Sequence, residues 1–234
     1  MAAVNPVSSR PGAVALRAGL WGGPVFLASL LVFGALMPGY SHEHRAVSQL
    51  GAWGRPWGIW FDLFGLLIPG AFTVGVAAEF RRRLRMLTAN TRWATGLVIF
   101  SAMFALTAVP ADFSRMFQSP WTWIHALCVL GSPVVLFVVI PGCTKALNTL
   151  RAPGTSRKTF LILGYLPAAE LLLYFVFPHT PGLVQRLMIL TVHSAMSWMS
   201  WTMLHLPSRA FDTAEMRSQQ SGGRAARTHS ATIS

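Results

Sequence analysis

The chain has 234 residues, of which 53% are hydrophobic and only 11% charged. A water-facing domain carries roughly 25% charged residues, so the composition excludes an ordinary soluble globule. The formal charge of +12 would suit nucleic acid, but the placement of the basic residues accounts for it without such a partner.

Residues 1–17 are polar and rich in small side chains, with Arg10 and Arg17, and read as a flexible tail. An apolar run follows at about 18–37. It is longer than a signal-peptide core, and Ala35-Leu36-Met37 is a poor cleavage site, so it reads as an uncleaved helix. Five more runs lie near 57–79, 93–109, 121–141, 159–177 and 183–206. About 17–25 apolar residues cross a bilayer as a helix. Only helices and closed barrels leave no backbone group unpaired there, and barrel strands would alternate in polarity. The predicted fold is therefore all-α: an integral membrane bundle of six transmembrane helices in one domain, 18–207. The Ser-, Gly-, Gln- and Arg-rich segment 208–234 is expected to be disordered.

Lys and Arg set the orientation. With both termini on one side, that side holds fifteen of the nineteen basic residues, leaving only Arg45, Arg55, Arg115 and Arg186 on the other. Both termini are thus expected in the cytoplasm and the protein in the inner (plasma) membrane. Trp53, Trp57, Trp60, Trp121 and Trp123 mark the outer interface, and Trp21 and Trp93 the inner one. Pro24, Pro69, Pro133 and Pro167 fall inside predicted helices, where kinks are expected. Cys128 lies in the fourth helix and Cys143 just past its predicted end. Their separation of about 22 Å, at 1.5 Å per residue, is too long for a bridge.

The densest polar chemistry lies in Gly39–Gly51, which carries Tyr40, His42, Glu43, His44, Arg45 and Ser48. Two local readings compete. Ser41 can cap a short helix at about 42–50 that buries Ala46, Val47 and Leu50; alternatively an extended His42-x-His44 puts both rings on one side. The outward-running helices end alike, at Met37-Pro38, Val109-Pro110 and Phe177-Pro178, because proline disfavours helix in the residue before it. The outer half of the bundle then gathers Tyr40, His42, Glu43, His44, Arg45, Asp62, Asp112, His125, His179, Arg186 and His193. Arg186 and His193, seven apart, share a helix face. Ionisable groups within a membrane are costly and mark functional sites, which singles out Asp62, His125, Glu170 and His193.

The sequence Ser48-Gln-Leu-Gly51 after a polar outer loop, then Pro110-Ala-Asp112, then His125, then Gly182-Leu-Val-Gln-Arg186, resembles the bacterial and archaeal membrane proteins of family nine-nine-eight in the domain-of-unknown-function series. The resemblance spans about 18–206. It implies a six-helix fold and little about activity. Two departures are the Ala105-Leu-Thr-Ala stretch before Val109-Pro110, where the family is glycine-rich, and Gln185, where an acidic residue is common. More distantly, the chain resembles small membrane proteins linked to lipid handling.

Two functional classes follow, besides the plain one in which these residues only cross-link the outer helix ends. In the first, an outward-facing pocket binds a lipid headgroup or small amphiphile through Tyr40, Arg45, Ser48, Asp112, His125, Arg186 and His193. Guanidinium forks would meet the anion. In the second, the protein is a membrane-embedded enzyme acting on a lipid or isoprenoid. Zinc held by His42, His44, His125 and His179 would supply a hydroxide, with Glu43 or Asp112 as base. Without metal, Asp62 or Glu170 would act as proton donor in a cyclase. No two histidines have the i, i+4 spacing of a helical zinc site, and no P-loop, dinucleotide fingerprint or Gly-x-Ser-x-Gly is present. A transporter would need more mid-membrane charge and an inverted repeat.

Overall fold

The structure is a computed structural model that describes residues 10–115, 118–177 and 179–206. Residues 1–9 of the predicted tail and the predicted disordered segment 208–234 lie outside the described residues. Among the described residues all regular structure is helical: α1 (Arg10–Gly19), α2 (Gly22–Leu36), α3 (Gly58–Phe61), α4 (Ile68–Met86), α5 (Arg92–Leu106), α6 (Pro120–Thr149), α7 (Gly154–Val176) and α8 (Pro181–Leu204). Each of the six apolar runs falls mainly in a helix.

Residues 10–17 are not an extension of a loose tail but belong to α1, which packs on α4 and α8. Its buried stripe is Gly12, Leu16 and Gly19. Two of these three are glycines, so the stripe adds little hydropathy and the sequence reads as polar. A Cβ on Gly12 would stand 2.6 Å from the Glu79 carboxylate, so only glycine allows so close an approach. Between α1 and α2 the chain bends by 47°.

Helices α3 and α4 form one continuous rod, Gly58–Met86, whose middle segment Asp62–Leu67 is π-helical. Pro69 follows after Ile68. Its ring would collide with the carbonyl of Gly65, and it offers no N–H to that carbonyl; the widened π turn makes room for both defects.

Three helices are long and apolar enough to cross a membrane: Gly58–Met86, Pro120–Thr149 and Gly154–Val176; the bent pair of α1 and α2 makes a fourth if counted as one span. Helix α5 is apolar but has only 15 residues. Helix α8 is long enough at 24 residues but carries Gln185, Arg186, His193, Ser200 and Thr202, all buried. It packs against α1, α2, α4 and α7, so these polar groups face protein. Helix α7 is its opposite, with Ile162, Leu172 and Phe175 each more than 60% exposed.

Each helix from α4 to α8 packs on the next in sequence, and α2 touches both α4 and α8 to close the bundle. Phe26, Phe61, Phe80, Phe100 and Phe160 are fully buried at its centre. Both cysteines lie within α6, which runs past its predicted end to Thr149, and both are free thiols. The segments 37–57, 107–115 and 179–180 meet at one end, where Trp53 N–H donates to the Ala111 carbonyl (3.1 Å) and Leu183 N–H to that of Glu43 (3.2 Å). This is the histidine-rich end. At the opposite, arginine-rich end, Arg83 reaches from α4 to the Met203 carbonyl of α8 (2.7 Å).

Candidate functional site

The Gly39–Gly51 stretch is neither the helix nor the extended strand that the sequence allows. Gly39 turns the chain with φ +67°. Ser41 then closes one turn, its Oγ accepting from His44 N–H (3.2 Å) and its carbonyl from Arg45 N–H (3.0 Å). A single 3-10 turn, Val47–Gln49, completes the segment. Val47 and Leu50 are buried, as the packed side of the segment requires, while His42, Glu43 and His44 are exposed.

The segment is stitched to the start of α8. Gln185 Oε1 accepts from Val47 N–H (2.7 Å), and Arg186 Nη1 donates to the Arg45 carbonyl (3.1 Å). Arg186 Nη2 donates to the Tyr40 hydroxyl, which in turn donates to the Ala46 carbonyl (3.2 Å). Arg186 is buried, yet among the described residues it meets no carboxylate, and its Nε has no partner. Burial pushes the Tyr40 phenol above its ordinary value, against the pull of Arg186. Burial and the same guanidinium lower the pKa of His42 from its ordinary value. His42 stands edge-on to Tyr40, with ring centroids 5.3 Å apart. His44 Nδ1 lies 3.0 Å from the His179 carbonyl.

Beside this clamp, the parts of α6, α7 and α8 nearest these loops border a cavity of about 370 Å³. Ser48, Ala111 and Phe113 contribute from the loops; Thr122, Trp123, His125, Ala126, Val129 and Leu130 from α6; Leu171, Tyr174 and Phe175 from α7; Val184, Gln185 and Met188 from α8. Its walls are overwhelmingly apolar. A small void of about 20 Å³ adjoins it, sharing Ser48, His125 and Gln185 and reaching Thr107 and Ser132; this is room for about one water. His125 Nδ1 lies 2.9 Å from the Val109 carbonyl, and because a carbonyl only accepts, Nδ1 carries a hydrogen. Thr122 Oγ1 is engaged by the Asp112 backbone on both sides, accepting from its N–H (2.9 Å) and donating to its carbonyl (3.2 Å).

Of the residues singled out in the sequence, Ser48 and His125 line this cavity. Tyr40, Arg45 and Arg186 are not among the lining residues; they build the neighbouring clamp. Asp112 lies at the cavity's edge, where its carboxylate caps the 3-10 turn Phe113–Arg115 by accepting from the Ser114 hydroxyl (2.6 Å) and amide (3.0 Å), bonds that lower its pKa. His193 shares a buried face with Arg186 but packs between Phe26 and Phe104, with centroids at 5.9 and 5.3 Å, away from the lining. Glu170 accepts from Thr191 Oγ1 (2.9 Å), tying α7 to α8. Asp62 opens the π segment with Oδ2 buried and unpartnered, packed so tightly on Gly51 that a methyl there would overlap the carboxyl. Among the described residues no three His, Cys, Asp or Glu side chains gather as a metal site, and His42, His44, His125 and His179 do not converge. Gln185 is the residue that sequence reasoning noted only as a departure. It both holds the loop and faces the cavity, and its place beside Arg186 in Gly182–Arg186 was the available signal.

The family described as "Protein of unknown function (DUF998)" matches residues 20–202, from the bend after α1 almost to the end of α8. The chain belongs to this family. No curated protein and no solved structure matches it. The matched stretch of this DUF998 chain contains both the clamp and the cavity.

Proposed function

We propose that this DUF998 protein crosses the plasma membrane six times, with both termini in the cytoplasm, and binds an amphiphile in the cavity at its outward end. The topology rests on the fifteen-to-four division of basic residues and on the even number of apolar helices. On this reading α8 spans despite its polar residues because neighbouring helices shield them, and the short α5 is completed by the turns after Leu106. Binding rests on one observation: a cavity of about 370 Å³ with apolar walls and a few polar side chains, set between helices. Ligand sites take this form, a largely apolar hollow in which a small number of polar groups fix orientation.

The topology is tested in a Cys128→Ala/Cys143→Ala background. An impermeant maleimide applied to intact cells should label Glu43→Cys and leave Arg85→Cys unlabelled until the membrane is opened. The reverse pattern sinks the orientation. Binding is tested by native mass spectrometry of protein released from mild detergent. The wild type should retain an amphiphile, and Ala126→Trp, which fills the cavity, should lose it while keeping its helical circular dichroism. Equal retention by both proteins would defeat the reading.

A further inference from the structure

We infer that the ligand of this cavity is an uncharged, single-chain amphiphile whose head is a hydroxyl or carbonyl, admitted sideways from the bilayer. The inference rests on the amphiphile-binding reading and narrows it to a chemical class.

The first argument is charge. No Lys, Arg, Asp or Glu lines the cavity. The nearby guanidinium of Arg186 is directed to Tyr40 and the Arg45 carbonyl instead. A phosphate or carboxylate drawn inside would lose its hydration and meet no cation, a cost that burial of a neutral head avoids.

The second argument is what three polar side chains of the lining, Thr122, Gln185 and Ser48, can still offer. Thr122 is engaged on both sides by the Asp112 backbone, and the Gln185 carbonyl oxygen is engaged by Val47 N–H. The Gln185 carboxamide still has its NH₂ to offer, and Ser48 its hydroxyl. A head that accepts hydrogen bonds satisfies these groups, and a hydroxyl head also has a proton to give to the Ser48 oxygen.

The third argument is size. At roughly 30 Å³ for each water- or methylene-sized group, the cavity holds about a dozen such groups. That is one medium-length chain, acyl or prenyl, rather than a two-chain phospholipid.

The fourth argument is access. Leu130 lines the cavity ten residues into α6, about 15 Å along the helix from its start. It is nonetheless 46% exposed, and Phe175, which lines the cavity near the end of α7, is 67% exposed. On the proposed topology this depth lies within the hydrocarbon, so the gap between α6 and α7 faces lipid chains, not water.

The test varies the head alone. Full-length protein is titrated with 1-dodecanol, 1-monolauroylglycerol, lauric acid at pH 8 and lauroyl lysophosphatidate, with binding read by native mass spectrometry. The two neutral ligands should bind at least tenfold more tightly than the two anions. Gln185→Glu keeps an oxygen for Val47 N–H but removes the NH₂ donors, and should weaken dodecanol about tenfold; Ser48→Ala should weaken it by a smaller factor. A diazirine-tagged dodecanol should cross-link to the peptides carrying Leu130 and Phe175. Anions binding as well as or better than the neutral ligands, with Arg45→Ala removing them, would overturn the class while leaving a binding cavity. Neutral ligands indifferent to both substitutions, or cross-links only elsewhere, would place them on the general lipid-facing surface and overturn the assignment. Binding of none of the four would defeat the underlying proposal itself.

Discussion

The two ends of the bundle are fastened by opposite means. At the arginine-rich end Glu79, 4% exposed, accepts from Arg82 Nε (2.6 Å) and Arg83 Nε (2.9 Å), and Arg83 continues to the Met203 carbonyl. Charge there is compensated and α4 is tied to α8. At the histidine-rich end the buried guanidinium of Arg186 is held by a phenol and a carbonyl, and next to it lies open space. An ion pair with satisfied geometry closes an end; a lattice of neutral, directional bonds holds a loop in place and leaves a hollow beside it.

The comparison is broken most severely by removing the charge that compensates the closed end. Glu79→Ala removes the carboxylate that compensates the buried charge of Arg83 and should cost about 3–5 kcal/mol, read as lowered thermal stability in detergent. Glu79→Leu combined with Arg83→Met should recover most of that loss, because the pair is then removed as a unit. At the open end, Arg186→Met should cost roughly 3 kcal/mol, since two bonds from a charged donor are lost. Arg186→Lys should restore little of it, because an ammonium cannot span Tyr40 and the Arg45 carbonyl as a fork does. If Arg186→Met were the costlier change, the contrast between the ends would be reversed. Gly51→Ala sharpens the picture by pressing a methyl onto the Asp62 carboxyl, for about 1–3 kcal/mol; a second-site Asp62→Ala should relieve it. The smallest effect concerns Asp112. Its folded pKa is depressed by the Ser114 hydroxyl and by the backbone amides of Ser114 and Arg115. Its contribution is therefore present above the ordinary value of 3.8 and is lost as the pH falls below it. Protection of the Ser114 and Arg115 amides, taken relative to intrinsic exchange at each pH, should fall over that range in the wild type and change little in Asp112→Asn.

Most of the helices were legible because hydrocarbon-length apolar runs leave the chain few alternatives. Helix α1 was not, since it is held by the close approach of Gly12 and Gly19, and glycine contributes almost nothing to hydropathy. Pro69 gave notice of an irregularity, but not that the irregularity would be a π segment. The site divided in the same way. Ser48 and His125 stood out as polar groups beside apolar runs. Trp123, Tyr174, Val184 and Met188 did not, because apolar residues in a membrane helix carry no label saying whether they meet lipid, a neighbour or a cavity. The Glu79–Arg82–Arg83 tie was written plainly at i, i+3 and i, i+4, yet these arginines were weighed only for the orientation they set. The clustering of histidines suggested a metal site. His44 and His125 lie against backbone carbonyls and His42 and His193 against aromatic rings, partners that leave no mark in sequence spacing.

The burial of α8 bears on how the chain is made. Among the described helices α8 comes after all the others, and its buried Gln185, Arg186, His193, Ser200 and Thr202 would each be costly to expose to lipid. Helices α1, α2, α4 and α7 all emerge from the ribosome first and together form the socket that receives it. Helix α8 is thus received by protein it will touch, and deleting residues 1–40 would take away two of its four helical partners, α1 and α2.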